Sequence, residues 1–492
     1  MRIPHQEQLQ LDCTPVGDIS LNPNCRDSMI PMLRALQYLY SRPALRDQAL
    51  ALVAVDVLQD ADSSIGRTGM TLWQIFVLAS LRLGRNLTYD HLQYLAENDR
   101  TLQQMLQVGD WSDATFNFRK IHDNVCRVHP ETIRKINELV VGEGHRLVPA
   151  APEAVRGDAF VAETNVHWPT ESGLILDGLR KILLVAPELA GLLGLLGWRQ
   201  SKSLFRKAKK ACRAIGRVKK GNNYEQCLLL AYQPLFHVAQ NVLPRTAELL
   251  DEALARLNGD STVVDVKVLG LYRELVYWHS VTNHVCGTAR RRVIDGEQVP
   301  NSEKLFSLFE PDTELIMRGK AGQPIQFGHV VLVIEDAVGF ICHYKVLPIQ
   351  SDERDVLVPE MQTLQTRLNG RIRSASFDRG FHSPSNQIEL AKIVNCPCLP
   401  QPGAKQSKDQ EQHATIHFRQ ARQRHPGIES AIGALQSGNG LARCRDHSQL
   451  GYQRYIGLGI LGRNLLVLGK LLLSQEHPNC LAAYSRRDTQ AA

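Results

Sequence analysis

Apolar residues recur at helical spacing from Met29 to Leu58, and Ser41-Arg42-Pro43 divides that run into two helices. Thr71 to Leu83 is so apolar that the helix it forms has to be buried. Thr88 supplies a cap for a helix from Tyr89 to Glu97, Asn98-Asp99 ends it, and a short helix runs on to about Gln107. Ser112 or Asp113 caps the next helix, within SDATFNFRKIHDNVCRV, and Pro130 to Val148 forms another. Pro149-Ala-Ala-Pro152 then reads as a domain boundary. Val155 to Ala162 is strand-like, His167-Trp168-Pro169-Thr170 is a turn, and a helical pattern continues to about Leu257. From Val263 the pattern is β-rich (VVDVKVL, ELVYWHSV), and FGHVVLVIED and VGFICHYKVLPI form a hairpin about Asp336-Ala337. Asp352 to Leu368 reads as a helix, Ile372 to Phe377 as a strand and Pro384 to Val394 as a helix. Leu450 to Leu473 approaches the length of a membrane span, but Arg454, Arg463, Asn464 and Lys470 interrupt it, which favours a packed or partner-binding helix. Residues 1–27 are polar, contain Pro15 and Pro23, lack the apolar core of a signal peptide and read as a loosely ordered arm.

A chain of 492 residues has room for two to four domains, and 43% hydrophobic with 22% charged residues is the composition of a globular protein. The net charge of +7 suits a polyanionic partner without requiring one. That charge is uneven: residues 201–220 hold nine Lys or Arg and no acid, so a helix there is basic around most of its circumference. Such a run is either a solvated face or a phosphate-binding one, and the mutual repulsion of its cations favours the second. Lys207, Lys209, Lys210 and Arg213 are its candidate phosphate contacts. Arg119 and Lys120 stand near the start of their helix, either as DNA contacts of a helix-turn-helix-like domain or as an ordinary solvated face. Eleven cysteines without a CxxC pair argue against structural zinc and for free thiols in a reducing cytoplasm.

The candidate chemistry lies in three acids. Asp158 sits in an apolar strand, where an acid is costly unless it is paired or binds metal; alone it reads as a satisfied structural residue. Asp378 ends a second strand, in Asp378-Arg379-Gly380-Phe381, and Glu429 lies in the first turn of a helix opened by Pro426. Ile428, Ala431, Ile432 and Leu435 give that helix one buried face, with Glu429 at its edge and Gly438 and Gly440 at its end. Strand-Asp, strand-Asp and helix-Glu, in that order, is the arrangement of a two-metal phosphoryl-transfer site. Strand alternation puts Glu163 on the opposite face from Asp158, and Glu171 and Asp177 fall in loop and helix, so these three acids read as structural. Trp278 and Tyr277 are either buried or base-stacking, with burial favoured.

The segments DAFVAETNVHWPTESGLILDG, SFDRGF and RQRHPGIESAIGAL resemble the three catalytic blocks of DDE insertion-sequence transposases of the ISNCY type. Residues 296–329 and the stretch TGMTLWQIFVLASLRLG resemble the same group. The resemblance implies an α+β or α/β chain: an N-terminal all-helical DNA-binding domain, then an RNase H-like mixed sheet with a large helical insertion. The expected divisions are a flexible arm over 1–27, the DNA-binding domain over 28–150, and the catalytic domain over 151–180 and 325–440. An inserted helical and β-rich region over 181–324 and a C-terminal helix and tail over 441–492 complete them. It implies Asp158, Asp378 and Glu429 as ligands of Mg²⁺, with Mn²⁺ as a substitute, and Arg422 and Arg424 as phosphate holders ahead of the Glu. Where the family commonly has Lys seven residues after the Glu, this chain has Gln436, with Arg443 as a possible replacement. His167 and Trp168 follow the first strand, near the DNA end or in a packed loop. The implied activity is binding of terminal inverted repeats, cleavage of the ends and joining of the 3′ hydroxyls to target DNA. The implied assembly is a homodimer on double-stranded DNA, cytoplasmic and nucleoid-associated when bound, with no membrane. The alternatives are a DNA-binding protein that has lost catalysis and a nuclease that cuts without joining.

Overall fold

The computed structural model describes residues 12–58, 69–109, 111, 115–258, 266–317, 324–403, 410 and 414–477. The chain is a mixed α and β protein that divides into two compact units, one built from the residues up to Asn165 and from Gly328 onward, the other from Val166–Phe327.

Among its described residues the first unit opens with the α-helices α1 (Met29–Tyr40), α2 (Pro43–Leu58), α3 (Leu72–Gly84), α4 (Tyr89–Asn98), α5 (Arg100–Met105), α6 (Phe118–Val125) and α7 (Pro130–Leu147). Thr71 caps α3 in a reciprocal capping box with Gln74, and Thr88 caps α4 through the His91 amide. The cap of α6 is Asn117, which accepts from the Lys120 amide, so the helix starts later than expected; Ser112 and Asp113 lie outside the described residues. Residues 12–27 are not a loose arm: Val16 and Ile19 are buried, and Gln37 Nε2 donates to the Val16, Gly17 and Ile19 carbonyls. The sequence shows only polarity there, while the anchor is a glutamine in a helix 18 to 21 residues away.

Strand β1 (Ala154–Glu163) follows α7, and the chain then leaves for the second unit. That unit holds α8 (Glu171–Leu192), α9 (Ser201–Ile215), α10 (Tyr224–Leu257), α11 (Val266–Val293) and the short strand β2 (Glu314–Met317), around a core of its own. The expected β-rich stretch after Val263 is instead α11, with residues 263–265 outside the described residues. Leu275, Trp278, Thr282, Val285, Cys286 and Ala289 are buried along one side of α11. Packing of that stripe overrides the strand preference of its valines and aromatics.

The chain returns as β3 (Ile325–Asp336), β4 (Ile341–Val346), α12 (Glu353–Arg367), β5 (Ser374–Ser376), α13 (Pro384–Ile393) and β6 (Cys396–Cys398). It ends in α14 (Ile416–Arg424), α15 (Gly427–Ser437) and α16 (Ser448–Glu476). Within the first unit the strand order is β4-β3-β1-β5-β6, with the β4-β3 and β3-β1 pairs antiparallel and the β1-β5 and β5-β6 pairs parallel.

Pro149–Pro152 does not separate the helical region from the sheet. The two share one continuous core, and α16 packs against α1, α3, α7 and β4. Buried polar groups fasten the join. Asn464 Nδ2 donates to Asn137 Oδ1 (2.8 Å) and the Ile341 carbonyl (2.9 Å), and its Oδ1 accepts from the Ile341 amide (2.8 Å). His145 Nε2 lies 2.8 Å from Asp336 Oδ2. α16 is long and apolar enough to cross a membrane, but 72% of its apolar window is buried within the protein. A Cβ on Gly462 would fall 2.4 Å from the Gly84 Cα, so glycine at this crossing lets α16 and α3 touch through backbone.

Candidate active site

β1 is the middle strand of the sheet. On one edge it pairs antiparallel with β3, Val155 with Asp336 through Glu163 with Gly328. On the other it runs parallel to β5, with Ala154, Val155 and Arg156 opposite Ser374, Ala375 and Ser376. Past the strand, the Phe377 amide donates to the Cys398 carbonyl of β6 (3.1 Å), and on the β1 side a Cβ on Gly157 would lie 2.3 Å from the Phe377 ring. Glycine at 157 makes room for that ring. Counting on from the last pair, Arg156 with Ser376, Asp158 and Asp378 each stand two residues further along their own segments.

Both acids are half-buried. Asp158 Oδ1 accepts from the Ala159 amide (2.7 Å), and Asp378 caps a 3₁₀ turn over Arg379–Phe381 through the Gly380 amide. A Cβ on Gly380 would lie 3.0 Å from both Asp378 Oδ1 and Glu353 Oε2, so Glu353, in the first turn of α12, flanks the same turn. Sequence reasoning did not single out Glu353; its neighbour Asp352 is the N-cap of that helix, and nothing nearby in the sequence links Glu353 to residue 380.

Alternation along β1 puts Arg156 and Asp158 on one face of the sheet. Arg156 shows what covers that face. Its Nε donates to Glu335 Oε2 (2.6 Å), its Nη1 donates to the Arg424 carbonyl (2.8 Å), and a Cβ on Gly427 would strike its guanidinium. The start of α15 therefore sits over β1. His425, at the junction of α14 and α15, places Nδ1 3.3 Å from Ser376 Oγ. Burial pushes its pKa down, the Arg422 cation adds to that shift, and nearby Asp378 opposes it. Burial also raises the pKa of Glu335, against the pull of Arg156. Ile428, Ala431, Ile432 and Leu435 face the core, and Glu429 is exposed in the first turn of α15. Gln436 Nε2 reaches the Val161 carbonyl of β1 (3.5 Å). Arg443, the possible replacement at that position, pairs with Glu163 (3.0 Å).

The remaining acids near the first strand have cationic partners: Asp177 pairs with Arg180 (3.4 Å), and Glu171 bonds Arg292 Nε (2.7 Å). Hard carboxylate oxygens at Asp158, Asp378 and Glu429 suit Mg²⁺ by donor type. Among the described residues, no three His, Cys, Asp or Glu side chains converge closely enough to hold a metal in this conformation. Glu429 is the one of the three that is exposed.

The expected DNA contacts fall in several places. Arg422 is half-buried and Arg424 exposed, both on α14. Arg119 is exposed; Lys120 is half-buried, with Nζ 5.8 Å from the Phe116 ring centroid. In the second unit, Ser201, Leu204, Ala208, Ala211 and Ile215 form a buried stripe, so α9 is amphipathic rather than basic all round. All nine cations of 201–220, Lys207, Lys209, Lys210 and Arg213 among them, are exposed. The Arg290-Arg291-Arg292 patch differs: Arg291 pairs with Glu297 and Glu303, and Arg292 with Glu171. Trp278 is buried in α11, edge-on to Tyr277 (5.0 Å between ring centroids). Trp168 is exposed and edge-on to Phe327 (5.2 Å).

Compared with known proteins, the chain matches no protein-family model, no curated protein and no solved structure.

Proposed function

We propose that the chain is a DDE-type insertion-sequence transposase that binds the inverted repeats of its element, cuts the DNA ends and joins the 3′ hydroxyls to target DNA. The observation that carries this reading is the parallel pairing of β1 with β5, since Asp158 and Asp378 each follow its last pair by two residues and the start of the helix bearing Glu429 covers the Arg156 face of β1. Strand, hairpin, helix, strand and helix in sequence, with an antiparallel half and a parallel half about β1, supports an RNase H-like core.

Asp158, Asp378 and Glu429 would hold Mg²⁺ or Mn²⁺, which in such sites lowers the pKa of the attacking hydroxyl or water and neutralises charge on the leaving oxygen. The chain's own residues orient the rest. Backbone amides fix Asp158 and Asp378, and Glu429 stands in the first turn of α15. Arg422 and Arg424 bring cations to the approach of the scissile phosphate. The partner is double-stranded DNA, terminal and target, engaged by a homodimer at the nucleoid.

The test uses purified protein with DNA from the flanks of its gene. Asp158→Asn, Asp378→Asn and Glu429→Gln should each remove several kcal/mol of transition-state stabilisation, so that Mg²⁺-dependent cleavage falls by about a thousandfold or more. Binding of the ends in Ca²⁺ should stay at the wild-type level. Cleavage within about tenfold of wild type in any one variant removes that residue from the site. Cutting without strand-transfer products identifies a nuclease, and binding without cutting identifies an inactive derivative.

A further inference from the structure

On the face of the sheet that carries Arg156 lies a cavity of about 780 Å³, between the N-terminal ends of β1 and β5 and helix α14. It starts two residues before Asp158, a rise of about 7 Å along β1. Arg373, Arg424, His417, Asn395 and Gln420 are among its lining residues. Its acids are already engaged: Asp336 holds His145 and the turn amides of Val338, Gly339 and Phe340, and Glu153 stands 3.7 Å from Arg373. The Arg424 guanidinium has no ion pair among the described residues, and the Asn395 and Gln420 amides have no side-chain hydrogen bond among them. A cavity of this size takes a ligand of a few hundred Å³, such as one nucleotide, and has no room for a duplex.

We propose that this cavity holds one nucleotide of a single DNA strand, next to the phosphate addressed by Asp158 and Asp378. The inference rests on the transposase reading for the identity of its strand. Arg373 and Arg424 meet the phosphate, and the Asn395 and Gln420 amides, each both donor and acceptor, meet the edge of the base. A strand leaving the candidate metal site along β1 reaches the cavity after one nucleotide step, once the duplex end is unpaired.

The experiment measures anisotropy of fluorescein-labelled pentathymidine in Ca²⁺. The full chain carries Lys207→Ala, Lys209→Ala, Lys210→Ala and Arg213→Ala, which remove the other polyanion surface. Arg373→Glu reverses a charge at the rim, and Gln420→Trp fills the cavity without changing charge. Each should weaken binding by about tenfold, as expected when one charged or fully seated interaction is removed. Binding within about twofold of the parent in both variants overturns the proposal. Thymidine monophosphate competing as well as the oligonucleotide also overturns it, by making the cavity a free-nucleotide site. Strand binding is read in Ca²⁺ with no cleavage step, and cleavage is read separately in Mg²⁺. The cavity and the carboxylate chemistry therefore fail separately: cleavage can be absent while the strand still binds, and the reverse.

Discussion

Charge is handled differently in the two compact units. In the sheet-bearing unit, Arg156 is held by Glu335, Arg82 by Asp446, and His145 by Asp336, with at least one partner of each pair almost wholly buried. Those charges meet inside the protein, where each fixes the geometry of the strand or helix that carries it. In the inserted unit, α9 turns its apolar stripe inward and exposes its cations, none ion-paired among the described residues. Buried pairs give precise placement at a desolvation cost, whereas exposed uncompensated charge gives attraction for a polyanion and little geometry. In the proposed transposase the first kind would position a reacting phosphate and the second would hold a long stretch of DNA, and this chain carries the two on separate cores.

That separation is open to tests of decreasing severity. Because α1–α7 share a core with the sheet, removing residues 12–147 should abolish cooperative unfolding of the first unit. Residues 166–327 expressed alone should still melt as one transition, since their core is their own. Differential scanning calorimetry reads both, and a cooperative sheet domain without the helices would break the comparison. Next, Arg156→Ala leaves Glu335 buried without its cation and should cost about 3 kcal/mol by urea denaturation, with Glu335→Gln in the same background recovering part of the loss.

Neutralising Lys207, Lys209, Lys210 and Arg213 should leave the melting temperature unchanged. It should weaken binding to every DNA sequence alike, with the log–log salt slope flattened by about 0.9 for each phosphate no longer neutralised by the protein. An unchanged slope would make α9 an ordinary solvated face. The smallest effect concerns His425. Its folded pKa is lowered, so the unfolded chain binds more protons between that value and the usual histidine range. Stability should therefore decline as pH falls through that range, by no more than about 1.4 kcal/mol per pH unit for one proton. His425→Gln should remove this component of the pH dependence.

The local elements were legible wherever period and caps agree. Ile428, Ala431, Ile432 and Leu435 announce the face of α15, and Thr71 and Thr88 announce the starts of α3 and α4. α11 was not legible by propensity, because ELVYWHSV reads as strand until the spacing of Leu275, Trp278, Thr282 and Val285 is counted. Of the candidate site, the sequence supplies Asp158, Asp378 and Glu429 as an order but not as a place. Their surroundings come from residues far apart along the chain: Arg156 against Glu335, His425 against Ser376, Glu353 beside Asp378. No local pattern encodes those meetings, since they follow from strand register and from where α14 and α15 cross the sheet. The merging of the N-terminal helices with the sheet was hidden for the same reason: Asn464 ties α16 to α7 and β4, and a lone Asn in an apolar helix does not name its partners.

α16 is also the last described helix to leave the ribosome, while α1, α3 and α7, which it covers, are among the first. About 420 residues separate Met29 from Ser448. At ribosomal rates that is roughly 20 to 80 seconds during which Leu33, Leu36 and the apolar length of α3 lack their final cover. Synthesis of the inserted unit falls within that interval, so it can close on its own core while the first unit stays unfinished. Newly made chains are therefore exposed to chaperones and proteases through their N-terminal helices until the final helix is released, and a chain interrupted before α16 carries a permanent apolar face.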